Sequence, residues 1–212
     1  MSKYLMVDIF AGLGGASSAF VAHPNWDVIR VEVSNIVFQE VFKNESRTGI
    51  NGTYSDEDFD SYIWGDITKW ETFQELLQAI NGRTIDLLWM SPPCTEFSLA
   101  RNPKIENPGI DLLFTSMALK ESLAPRYWII ENVKGAIKKF NKILGQVEYK
   151  LDPFYLWGVF PIFNPDLKHS KMTGDTWSDD PLRPFRRAKV PLEFSEALRQ
   201  TVQYQQQLDF KS

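Results

Sequence analysis

The run Ile85-Asp86-Leu87-Leu88-Trp89-Met90-Ser91-Pro92-Pro93-Cys94 decides how this chain folds. From Ile85 to Met90 it is mostly apolar and short, the pattern of a strand buried on both faces. Two prolines then hold Cys94, the only cysteine of the chain, at the C-terminal end of that strand. It is placed like a nucleophile rather than like core filling. A second apolar run, Tyr127-Trp128-Ile129-Ile130, ends in Glu131-Asn132-Val133. Two such strands side by side would set a thiol and a carboxylate facing one pocket above a parallel sheet, where α/β folds put their chemistry.

Outward from these runs, strands alternate with helices. Tyr4 to Ile9, Val28 to Val33, Ile63-Trp64, Ile85 to Met90 and Tyr127 to Ile130 read as strands. Between them, helices are expected from Gly14 to Val21, Ile36 to Lys43, Trp70 to Ile80, and Ile110 to Leu123, the last stopped by Pro125. Asn44 to Asp60 is polar and reads as loop. The alternation predicts an α/β fold with a mostly parallel sheet and helices on both faces. After Glu131 the pattern changes: Gln146 to Lys150 and Phe154 to Val159 read as an antiparallel pair around Asp152-Pro153. Residues 159–186 show no clear period and are expected to be irregular. A polar helix from about Glu193 to Gln206 follows. Residues 1–212 are read as a single domain without repeat or linker.

Composition narrows the class. Hydrophobic content of 43% with 14% aromatic residues argues for a folded core. One cysteine excludes an internal disulfide, and His23 and His169 stand apart outside any ligand spacing, so no metal is expected. A reducing cytoplasm is the expected setting. No signal peptide is read at Met1-Ser2-Lys3 and no apolar stretch approaches a membrane span. The formal net charge of −4 speaks against a nucleic-acid partner, but charge is uneven. Asp56, Glu57, Asp58 and Asp60 are acidic; Lys134, Lys138, Lys139 and Lys142 follow the Glu-Asn-Val turn; Arg183, Arg186, Arg187 and Lys189 cluster later. Any one run reads most simply as a solvated face. The lysines matter more because they follow the candidate site directly.

Asp8-Ile9-Phe10-Ala11-Gly12-Leu13-Gly14-Gly15 ends the first strand in a glycine-rich turn through which a backbone can approach a ligand. The dinucleotide fingerprint would need glycine at Ser17, so that match fails. Glu32, at the end of the second strand, can bond ribose hydroxyls. Asp66, after the third, can accept from an adenine amino group. The loop holds no lysine or arginine, so a phosphate-poor adenosine ligand fits better than a dinucleotide.

Taken in order, Asp-Ile-Phe-Ala-Gly-Leu-Gly-Gly, Glu32, Gly-Asp-Ile, Ser-Pro-Pro-Cys-Thr-Glu-Phe-Ser and Glu-Asn-Val resemble the motifs of the cytosine-5 DNA methyltransferases. The resemblance runs from about Tyr4 to Val133 and more weakly beyond. It implies a Rossmann-like S-adenosylmethionine-dependent methyltransferase fold. Phe10 would stack on the adenine of S-adenosylmethionine, and Gly12, Leu13, Gly14 and Gly15 would shape the methionine side. Glu32 would hold the ribose, Asp66 the adenine amino group and Ile67 its face, with Pro92 and Leu113 lining the pocket. Core packing alone would account for Phe10, Ile67 or Leu113 taken singly. Cys94 would attack C6 of a cytosine flipped out of the duplex, and Glu131 would hydrogen-bond or protonate N3. Asn132 is expected to fix the turn, ahead of any contact with substrate. Thr95 to Pro108, with Ser98, Arg101 and Lys104, would close over the base. A buried inert thiol and a strand-end ion pair with a following lysine are the plain readings of Cys94 and Glu131.

Two departures stand out. The family's Gln-x-Arg-x-Arg segment falls on Gln146-Val147-Glu148-Tyr149-Lys150, with no arginine; Lys150, Arg186 and Arg187 are the candidates to hold the cytosine, and the choice stays open. The closing Gly-Asn motif is absent, with Arg187 to Leu192 as its weak counterpart, as in compact phage-encoded members. Residues 159–186 leave no room for a target-recognition domain, which implies short or relaxed sequence specificity and weak, salt-sensitive binding. The alternatives are the same chemistry on RNA or tRNA, transfer of a modified group, or a non-catalytic nucleic-acid- or cofactor-binding protein. Oligomeric state is not legible.

Overall fold

The computed structural model describes residues 3–43, 62–94, 110–166 and 180–209. Strands β1 (Tyr4–Ile9), β2 (Trp26–Glu32), β3 (Tyr62–Trp64), β4 (Leu87–Met90), β5 (Tyr127–Asn132), β6 (Tyr149–Leu151) and β7 (Phe154–Val159) form a seven-stranded sheet in the order β3-β2-β1-β4-β5-β7-β6. The first five strands are parallel; β7 runs antiparallel to both β5 and β6. The helices are α1 (Ser18–Val21), α2 (Asn35–Lys43), α3 (Trp70–Ile80), α4 (Ile110–Leu123), α5 (Ile137–Leu144), α6 (Arg183–Ala188) and α7 (Leu192–Asp209). This is the expected Rossmann-like arrangement, mostly parallel with both faces covered.

Alternation along each strand builds two cores. Leu5, Val7 and Ile9 of β1 join Leu88, Met90, Ile130, Tyr155 and Trp157 on one face, beneath Leu76 of α3, Leu113 of α4 and Phe140 of α5. Met6, Leu87, Trp89, Ile129 and Leu156 point the other way, to Phe20 of α1 and to Phe194, Leu198 and Val202 of α7. Because both faces are buried, the strands read as continuous apolar runs. The chain leaves β1 for β2 on one side and resumes at β4 on the other, so the crevice opens between the C-terminal ends of β1 and β4.

Several boundaries follow local signals. Asn81 turns left-handed (φ 50) and donates its N–H to Leu77 O, ending α3. Ala124 does the same (φ 43) ahead of Pro125 and ends α4. Other boundaries differ from the reading of the sequence. β5 continues through Glu131 to Asn132, because β7 supplies partners to its end (Glu131 opposite Leu156, Asn132 opposite Tyr155). β6 begins only at Tyr149, where the short β7 can pair with it. The expectation that residues 159–186 are irregular is corrected at both ends. Val159 closes β7, and Arg183–Arg186 lie within α6, started by Asp180, whose carboxylate accepts the Leu182 N–H at 2.9 Å. Residues 160–166 between them carry no regular element. The acidic loop at 56–60 lies outside the described residues. No helix among the described residues is long and apolar enough to cross a membrane.

Candidate active site

The glycine loop leaves β1 with Phe10 (φ 60), Gly12 (φ 53) and Gly14 (φ 66) all left-handed. For Phe10 that conformation costs about 1–3 kcal/mol, the kind of local strain that concentrates at ligand sites. A buried polar set holds the loop from below. Ser17 Oγ donates to Asp8 Oδ2 at 2.6 Å, and Arg30 Nε donates to Ser17 Oγ at 2.8 Å. The Arg30 guanidinium also lies 5.2 Å from the centre of the Tyr62 ring, whose hydroxyl donates to Gly12 O at 3.1 Å. A Cβ on Gly14 would sit 2.8 Å from Arg30 Cζ, so only glycine lets the loop rest on that guanidinium. A Cβ on Gly15 would sit 2.5 Å from the backbone nitrogen of Val190. The segment before α7, read as a weak closing motif, therefore lies directly against the glycine loop. Ser195 of α7 adds a clasp: its hydroxyl donates to Ala16 O at 2.6 Å and accepts the Ala19 N–H at 3.1 Å.

Glu32 ends β2 beside this loop. Its Oε2 accepts the Gly12 N–H at 2.7 Å, and its Oε1 accepts those of Val33 and Ser34, each at 2.9 Å. Three amides fix the carboxylate, and Oε2 keeps acceptor capacity for a hydroxyl. Asp66 follows β3; Thr68 donates its N–H and its hydroxyl to Oδ1, at 3.0 and 2.8 Å. These two bonds hold the Asp66 carboxyl below its usual range and leave Oδ2 to accept from a ligand amine. Ile67 and Leu113 are buried core residues, Leu13 packs with Val37, Val41 and Tyr62, and Pro92 is buried at the end of β4. The donor set suits an adenosine: two fixed carboxylates for its hydroxyls and amine, apolar walls, and a glycine turn for the rest.

Cys94 and Glu131 come from the ends of adjacent parallel strands. Burial raises the Glu131 carboxyl to about 7, against a hydrogen bond from Ser91 that favours the charged form. Burial also pushes the Cys94 thiol up, and Glu131 pushes it further because two negative charges would share the site. A charged Glu131 therefore disfavours ionisation of Cys94, and the pair holds one proton more readily than none. Asn132 is buried beside them; its amide donates to Pro92 O and its oxygen accepts the Val133 N–H, each at 2.9 Å.

The basic candidates are spread out. Lys150 is exposed on β6 in the row of Tyr155 and Asn132, two strands across from β5 and on the opposite face from Glu131. Arg186 lies on α6, bonded to Asp180 (2.9 Å) and Glu40 (3.4 Å), and Arg187 is exposed on the same helix. That helix packs by the glycine loop, with Leu182 in the cluster of Val37 and Tyr62, on the β2–β3 side of the sheet. Ser98 and Arg101 lie outside the described residues. Sequence reasoning passed over Ser91, Trp89, Asp8, Ser17 and Arg30, although an aspartate and an arginine inside apolar strands were a visible signal of buried polar pairing.

A family model described as C-5 cytosine-specific DNA methylase matches residues 4–154. The Type II methyltransferase M.HpaII of Haemophilus parainfluenzae is 28% identical over 141 residues, 66% of this chain and 34% of that protein. The Type II methyltransferase M.AquIA of Picosynechococcus is 29% identical over 135 residues, 62% of this chain and 49% of that protein. Among solved structures, the Entamoeba histolytica methyltransferase EhMeth aligns with a TM-score of 0.49 at 17% identity, over 79% of this chain and 56% of that one. The chain spans about a third to a half of the length of the curated relatives it matches.

Proposed function

Because the chain belongs to the C-5 cytosine-specific DNA methylase family, we propose that it methylates C5 of cytosine in DNA, using S-adenosylmethionine, as one catalytic domain. The observation that carries this reading is the pairing of Cys94 with Glu131 at the ends of neighbouring parallel strands, where the charge of Glu131 strengthens the thiol's hold on its proton.

In the reactive arrangement Cys94 is the thiolate and Glu131 keeps the proton. The Cys94 sulfur bonds to C6 of the ring as the C5–C6 double bond opens, and Glu131 gives its proton to N3. S-adenosylmethionine supplies an electrophilic methyl group, and C5 takes it. Loss of the C5 proton to a base, then elimination of the Cys94 sulfur as thiolate with return of the N3 proton to Glu131, restores the ring. C6 is buried in a stacked duplex, so the base must leave the stack first. Phe10, Glu32 and Asp66 would hold the adenosine, with Gly12, Leu13, Gly14 and Gly15 beside its methionine and Ile67, Pro92 and Leu113 as walls. Ser98 and Arg101 would close over the cytosine; of Lys150, Arg186 and Arg187, the ion pairs of Arg186 favour another residue for the grip on the ring. Asn132 serves the turn. Without a separate recognition domain between β7 and α6, specificity is short or relaxed. The site of action is the cytoplasm of a bacterial or phage-infected cell.

The test is trapping. Fluorine at C5 cannot be removed as a cation, so DNA containing 5-fluorocytosine should leave a covalent adduct with wild type plus S-adenosylmethionine, and Cys94→Ser should leave none. The same assay with 5-fluorocytosine tRNA serves as comparator. No adduct on DNA with folded wild-type protein sinks the reading; an adduct on tRNA alone moves the chemistry to RNA. Bisulfite sequencing of DNA from expressing cells tests specificity, and a strict site of about six base pairs would contradict the relaxed reading.

A further inference from the structure

Two polar side chains at the pair have no part in the steps above. Trp89 is buried in β4, with 1% of its surface exposed, and Ser91 follows the strand. Trp89 pairs with Ile129 and Met90 with Ile130, so the next position of this ladder sets Ser91 opposite Glu131 on the face that Trp89 occupies. The Trp89 indole N–H donates to Ser91 Oγ at 2.6 Å. An indole N–H can only donate, whereas a hydroxyl has one proton and can also accept. With Trp89 filling an acceptor position, the Ser91 proton goes to Glu131, to which the hydroxyl is hydrogen-bonded.

We propose that Ser91 is a positioning residue: in a Trp89–Ser91–Glu131 relay its hydroxyl fixes the Glu131 carboxyl and sets the balance between its protonated and ionised forms. The proposal rests on the role of Glu131 given above. A hydroxyl committed as donor stabilises a carboxylate, and a donor behind that hydroxyl polarises it into a stronger one. Other charges leave the relay in control. Cys94 is the thiol coupled to Glu131. Asp8 on β1 is bonded through Ser17 and coupled to Arg30 and Glu32. Tyr149 on β6 stacks on Phe163. The covering helix α7 turns Phe194, Leu198 and Val202 inward, and its Arg199 acts on His23.

The experiment titrates Glu131 itself. In protein labelled with 13C-glutamate, the side-chain carboxyl resonance absent from Glu131→Gln gives the midpoint without any need for turnover. Wild type should titrate near pH 7. Ser91→Ala should move the midpoint up by about one unit, the size of one lost hydrogen bond to a charged group. Ser91→Thr should restore it, and Trp89→Phe should move it up by less. A Ser91→Ala midpoint equal to wild type overturns the relay, since a hydroxyl that only satisfied Trp89 would leave Glu131 untouched. Should Ser91→Ala fail to fold, an unmoved midpoint in Trp89→Phe overturns it equally. Failure of the fluorocytosine trap with a shifted midpoint would remove the methyltransferase reading and leave the relay standing.

Discussion

One side chain, Asn132, ties the end of β5 to the carbonyl of Pro92 two residues before Cys94, with donor and acceptor 2.9 Å apart. Its other contact, from the Val133 N–H, orients the amide so that the NH2 faces Pro92. The two groups of the proposed reactive pair thus share one rigid joint. Asn132→Ala should leave the Pro92 carbonyl without a partner in a buried place and cost about 1–3 kcal/mol. Asn132→Asp should cost more at pH 7, since a carboxylate would face a carbonyl oxygen. Urea unfolding of both variants measures this, and equal stability of wild type and Asn132→Asp would refute it.

The pH dependence of methyl transfer has a sign that is easy to invert. Glu131 titrates at about 7 and Cys94 above its usual value, so between these pH values the pair holds one proton. The form proposed to react, Glu131 protonated and Cys94 ionised, is a minor arrangement of that same one-proton state. kcat/KM should therefore rise with pH through about 7, stay level, and fall only as the thiol titrates. Glu131→Gln should move the rising limb from about 7 up to the titration of the Cys94 thiol and slow turnover by roughly 100- to 10,000-fold. Activity that falls as pH rises through 7 would show that another group controls the reaction.

Much of this candidate site can be picked out in the sequence because its parts are local. Cys94 and Glu131 are polar residues closing apolar runs, Trp70–Ile80 carries helical spacing, and Ile110–Leu123 meets a clear stop at Ala124-Pro125. The Ser91–Glu131 contact was not legible, since only the pairing of β4 with β5 sets those residues opposite one another. For the same reason β5 looked shorter than it is: its last residues are strand only because β7 folds back beside them. For Arg186 and Arg187 the fold adds what order along the chain did not show. Charge and order suggested a hold on the cytosine, but α6 docks by the glycine loop, and Arg186 is bonded to Glu40 and Asp180.

Asp8 yields a stability prediction. Burial raises it from 3.8 to about 6, despite its hydrogen bond from Ser17 and the nearby charge of Arg30. Between those values the folded chain keeps a proton that the unfolded chain has lost, so this group's contribution falls as pH rises from about 4 to about 6. At about 1.4 kcal/mol per unit, the loss is on the order of 3 kcal/mol and complete by neutrality. Asp8→Asn still offers Ser17 an oxygen and carries no proton to lose. It should match or exceed wild-type stability at pH 7 and lose that advantage at pH 4. Denaturation midpoints of the two proteins at both pH values give the difference directly, free of the other carboxylates; parallel curves would contradict the assignment.

The lysines after Glu131 predict where DNA lies. Lys134 in the turn before α5, and Lys138 and Lys142 within it, are exposed at a spacing of four, so they line one side of the helix. The first stands three residues from Glu131, near enough for this side to meet the backbone flanking an extruded base. With a formal net charge of −4, attraction to a polyanion must come from such a local array and not from the chain as a whole. Each phosphate neutralised on duplex DNA adds about 0.9 to the steepness of log K against log salt. Replacing Lys134, Lys138 and Lys142 by glutamine should therefore flatten that slope by up to about 3 and weaken binding alike on every sequence, because phosphate contacts carry no base information. Fluorescence anisotropy across a salt series measures both quantities. An unchanged slope in the triple variant would place the DNA on another face.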